Sequence, residues 1–112
     1  MTAEEWRIIT QYRETVIALH ALLDEIDTWT RRGFSVTNLM DKAQVLKQDI
    51  LQFENILEKI PDRRARNVLR CRFALGYTIA ETAADLGMSD TTVDKIIKKL
   101  KPATTQNGRA TA

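Results

Sequence analysis

With one cysteine, Cys71, the chain can form neither a disulfide framework nor the ligand spacing of a zinc site, and a reducing, cytoplasmic setting is expected. Four glycines and two prolines leave few places where a helix must break, and β-branched runs are equally scarce. An all-α fold follows. No apolar run approaches the roughly 18–20 residues a membrane helix needs, so no membrane partner is expected. The opening MTAEEWR lacks the charged-then-apolar layout of a secretion signal. Catalytic constellations are missing too. His20 stands alone at the edge of a helical seam, and Cys71 has no histidine near it in sequence. Asp24, Glu25 and Asp27 fit a solvated helix face, and no glycine-rich phosphate loop is present. No enzyme, cofactor or metal is expected.

The 112 residues carry a charge asymmetry beneath a net +2. Residues 1–60 hold 7 Lys/Arg against 10 Asp/Glu, whereas residues 61–101 hold 9 against 5. An acidic stem followed by a basic module suits a protein partner at one end and nucleic acid at the other.

Apolar spacing divides the stem into two helices. Thr2 and Glu5 form a T-x-x-E capping box, so a first helix starts near Ala3. Ile9, Tyr12, Val16, Leu19, Leu23 and Ile26 then recur at steps of three and four, and Gly33 ends the run. A second helix is predicted from about Val36 to Ile60, where Val36, Leu39, Ala43, Leu46, Ile50, Phe53, Leu57 and Ile60 keep the same spacing. Two matched helices with a short link predict an antiparallel hairpin. Faces this wide are not fully covered by two helices, so either the C-terminal module or a second copy of the chain is expected to cover the remainder. Residues 1–60 are expected to form a homodimer or other homo-oligomer, or to bind a partner.

Pro61 stops the second helix and Asp62 can cap a third, in which arginines alternate with Ala65, Val68, Leu69 and Phe73 up to Gly76. Thr78 and Glu81 make another capping box, Gly87 supplies a sharp corner, and Ser89 caps the helix running from Asp90 to Leu100. Two short helices joined at Gly87, with small Ala83 at the crossing and Met88 in the turn, read as a helix-turn-helix. The expected organisation is a hairpin over 1–60, a three-helix helix-turn-helix module over 61–101 and a disordered tail over 102–112.

A helix-turn-helix places its second helix in the major groove of duplex DNA. Ser89, Thr91, Thr92 and Lys95 are the expected base-facing set, because hydroxyls and an ammonium can address base edges. Lys98, Lys99 and Lys101, with Arg63, Arg64 and Arg66 from the preceding helix, are expected to hold phosphates. Asp90 and Asp94 lower the expected affinity, so a dimer or a partner is expected to assist binding.

Residues 58–100, EKIPDRRARNVLRCRFALGYTIAETAADLGMSDTTVDKIIKKL, resemble region 4 of sigma-70-type factors, and most closely the ArpU-type transcriptional regulators of phages and prophages. The resemblance implies a transcriptional regulator in a bacterial or phage-infected cell, contacting RNA polymerase. It also implies a structural role for Glu81. The sigma regions that recognise the −10 element and melt DNA have no counterpart in this sequence, so an autonomous sigma factor is not expected. Two other readings fit the same pattern: a small terminase-like DNA-packaging subunit, and an interaction module that never meets DNA.

Overall fold

The computed structural model describes residues 1–102. The tail expected at 102–112 therefore lies, from residue 103 on, outside the described residues. Six α-helices and one π-helical turn, with no strand, make up what is described: α1 (Ala3–Thr10), α2 (Tyr12–Arg31), α3 (Thr37–Glu58), α4 (Arg63–Leu69) running into the π-turn Arg70–Ala74, α5 (Ile79–Leu86) and α6 (Asp90–Leu100). The fold is all-α, a helical hairpin followed by a helix-turn-helix, as expected.

The first capping box forms as its sequence requires. Glu5 N donates to Thr2 Oγ1 at 3.1 Å, and Thr2 N donates to Glu5 Oε1 at 2.9 Å. The single helix expected from Ala3 to near Gly33 is instead divided at Gln11 (φ −100°, ψ 8°). Two threonines flank the break. Thr10 Oγ1 donates to Trp6 O at 3.0 Å and Thr15 Oγ1 donates to Gln11 O at 2.9 Å, and such bonds to the preceding turn bend helices. The bend lets α1 pack on the C-terminal half of α3 while α2 pairs with α3. Two long-range ion pairs hold α1 there, Arg7 to Asp49 at 3.2 Å and Lys59 to Glu5 at 3.0 Å.

The core sits at the base of the hairpin. Ile8 and Ile9 of α1 meet Phe53, Ile56 and Leu57 of α3, and Ala65 and Leu69 of α4 close the far side. Tyr12 stacks on Phe53 with ring centres 4.1 Å apart, and Trp6 meets Phe73 edge-on at 5.8 Å. A second cluster joins Val68, Ala83 and Val93, and Ile96 packs against both. Each fully buried aliphatic or aromatic side chain of this kind contributes about 1.5–3 kcal/mol. The base of the hairpin and the helix-turn-helix thus share continuous packing.

Between α4 and α5 the chain widens into a turn that the spacing did not foresee. Leu75 N donates to Arg70 O at 3.0 Å, Gly76 adopts φ +75°, and Tyr77 N reaches back to Cys71 O at 2.9 Å. Arg72 Nη1 donates to Tyr77 O at 2.7 Å and closes the loop that sets the direction of α5. No described helix is long and apolar enough to cross a membrane.

Candidate nucleic-acid interface

The corner between α5 and α6 is built from local chemistry that the sequence displays openly. At the start of α5, Glu81 N donates to Thr78 Oγ1 at 3.0 Å while Thr78 N donates to Glu81 Oε1 at 2.8 Å. Ala83 is fully buried where the two helices cross. Gly87 takes the left-handed conformation (φ 68°, ψ 37°), a region costly for residues with a Cβ, and Met88 N then bonds back to Ala83 O at 2.9 Å. Met88 is half-buried against Val68, Ala83 and Val93, plugging the angle.

The corner directs α6 so that one side is packed and the other open. Val93 is completely buried, and Ile96, Ile97 and Leu100 complete its inner stripe. Thr91, Lys95, Lys98 and Lys99 are exposed. At 3.6 residues per turn, Thr91, Lys95 and Lys98 line up along the crest opposite Val93, with Lys99 beside them.

The candidate residues divide into groups. Ser89 caps α6 by accepting from Thr92 N at 3.1 Å, and the Ser89 and Thr92 hydroxyls bond one another at 2.9 Å. Both therefore hold the helix start, and Thr92 is half-buried. Thr91 and Lys95 carry no such tie among the described residues. Lys98 pairs with Asp94 at 3.0 Å, which neutralises the acid and occupies the lysine.

The arginines of α4 divide in the same way. Arg63 and Arg64 are exposed on its first turn. Pro61, just ahead of α4, and Leu100 line the same surface pocket, so that turn lies near the C-terminal end of α6. Arg66 turns inward instead, donating from Nη1 to Ile60 O at 2.6 Å and to Pro61 O at 3.3 Å. It satisfies carbonyls left open where α3 ends. Arg70 is also diverted, pairing with Glu54 of α3 at 2.8 Å. Within residues 61–101, Arg63, Arg64, Lys95, Lys99 and Lys101 are exposed and have neither an ion-pair partner nor a side-chain hydrogen bond among the described residues, so they are the module's open cations.

Other candidates for chemistry are placed elsewhere. Cys71 is buried, its thiol donating toward Asp85 Oδ2 at 3.9 Å. Burial first, and the Asp85 charge second, push that thiol up from its ordinary value, away from thiolate reactivity. His20 is exposed on α2. Among the described residues no three metal-ligating side chains come together.

The model of the ECF sigma factor family matches residues 14–107, from the first turn of α2 past the end of α6. No curated protein and no solved structure matches the chain.

Proposed function

Because the chain belongs to the ECF sigma factor family, we propose that it is a transcriptional regulator that reads duplex DNA through its region 4-like helix-turn-helix and contacts RNA polymerase. The observation that carries the reading is the open crest of α6, held away from the core by the left-handed corner at Gly87. Thr91 and Lys95 address base edges in the major groove. Ser89 and Thr92 hold the first turn of α6 in place at the groove floor. Lys99, Lys101, Arg63 and Arg64 contact phosphates, and Lys98 joins them when it leaves Asp94. The ArpU-type resemblance of residues 58–100 supports a phage or prophage regulator.

Selection of bound duplexes from a random pool, followed by affinity measurements on the winner and on an unrelated duplex, tests the reading. Lys95→Ala should cost about 1–3 kcal/mol on the selected site and little on the unrelated one, whereas Lys99→Ala should weaken both alike. Equal losses for both variants on every duplex would remove Lys95 from base reading. A pool that yields no enrichment would remove sequence recognition altogether.

A further inference from the structure

At the hairpin's middle, the flank made by Ala18, Leu22 and Glu25 of α2 and Lys42, Val45 and Leu46 of α3 forms an open groove. Its surface is almost wholly apolar, and the small Ala18 and Ala21 lower the floor on the α2 side. Val45 is 63% exposed. The only charges on its walls are Glu25 on α2 and Lys42 on α3, and among the described residues neither is in an ion pair.

We propose that this flank is a two-fold dimer interface, occupied by the same flank of a second copy of the chain. The charge pattern selects that occupant. A two-fold axis passing between Glu25 and Lys42 sets Glu25 against Lys42 of the second copy and Lys42 against its Glu25, the self-complementarity that an isologous contact requires. A uniformly acidic or uniformly basic partner would set like charge against one wall. Trp29 lies one turn beyond Glu25 on the same helix face, and Phe34 packs edge-on against it with ring centres 5.4 Å apart. This exposed aromatic pair continues the apolar flank toward the hairpin tip.

The available area sets the strength. A helix of this length spans about 30 Å at 1.5 Å per residue, and two helices about 9 Å apart offer a face about 18 Å wide. The contact then buries about 1,000 Å² in total, at the lower edge of specific interfaces. A micromolar dimer is expected, not an obligate one. The helix α6 packs at the opposite end of the hairpin, so a monomer keeps its DNA-facing crest and the two readings fail separately.

Sedimentation of the full chain as a function of concentration tests the proposal. The mass should rise from the 12.8 kDa monomer toward twice that value between about 1 and 300 μM. Val45→Glu should weaken association more than about 30-fold by placing a carboxylate in the apolar contact. Val45 is exposed in the monomer, so its helical circular dichroism should be unchanged. Glu25→Lys and Lys42→Glu should each weaken association about 3- to 10-fold, and the double exchange should restore it to within about twofold of the parent. A monomer at every concentration, an unchanged mass for Val45→Glu, a double exchange no better than either single one, or a particle larger than a dimer would each overturn it.

Discussion

The base and the tip of the α2–α3 hairpin share one apolar spacing and end in different surroundings. At the base, Phe53, Ile56 and Leu57 are sealed by α1, α4 and the inner stripe of α6. Toward the tip each helix has only the other, and Phe34, Met40 and Val45 stay more than half exposed. Periodicity therefore states which face of a helix is apolar, while the number of neighbouring helices decides how much of that face is buried. The first property is local; the second belongs to topology.

The sharpest way to break the comparison is to truncate one leucine at the base and one on the open flank nearer the tip. Leu57→Ala at the base should cost about 2–5 kcal/mol, because packed neighbours cannot collapse into the space. Leu22→Ala at the half-open flank should cost about 1 kcal/mol, measured in dilute protein by urea denaturation. Equal costs would mean that the tip is as tightly packed as the base.

Two glycines give a second contrast. Gly33 at the tip and Gly87 at the corner both have positive φ, 83° and 68°, and a Cβ at either would meet open space. Alanine at each should therefore cost about 1–2 kcal/mol, from the backbone alone. Only Gly87→Ala should also lower duplex affinity, since it alone sets the direction of α6. A tip variant with the same loss of binding would contradict that division.

A smaller effect separates the clamp at the base from the rest. The backbone N–H of Thr2, and then the Lys59 ammonium, hold the Glu5 carboxyl below its ordinary value of 4.5. Its stabilisation is complete above that ordinary value and is lost as pH falls through the lowered folded-state value. Glu5→Gln should consequently be less stable than the parent at pH 7, and the difference should shrink under acid conditions, as urea midpoints at the two pH values would show. The smallest expected change is Ile17→Ala, below about 0.5 kcal/mol for so exposed a side chain.

Short-range chemistry made much of the molecule legible in advance. The capping boxes at Thr2–Glu5 and Thr78–Glu81, the left-handed Gly87 and the cap at Ser89 depend only on neighbours a few residues away. What escaped depends on longer contacts or on competition for a backbone group. The division at Gln11 arises from two threonines choosing the preceding turn, at a place where apolar spacing continues unbroken. The π-turn at Arg70–Ala74 adjusts the register between α4 and α5. Arg66 and the hydroxyl of Thr92 have the right chemistry for DNA, yet carbonyls at Ile60 and Pro61 and the hydroxyl of Ser89 claim them. Residue type alone does not reveal such a prior partner.

The central claim is that the lysine crest of α6 meets the phosphates and bases of a duplex. Affinity for a selected duplex, titrated across salt for the parent and for Lys99→Ala, tests it most directly. Binding should fall linearly on logarithmic axes, and removing one phosphate contact should make the slope shallower by about one. Duplex affinity that is absent at low salt, or a slope that Lys99→Ala leaves untouched, would contradict the account.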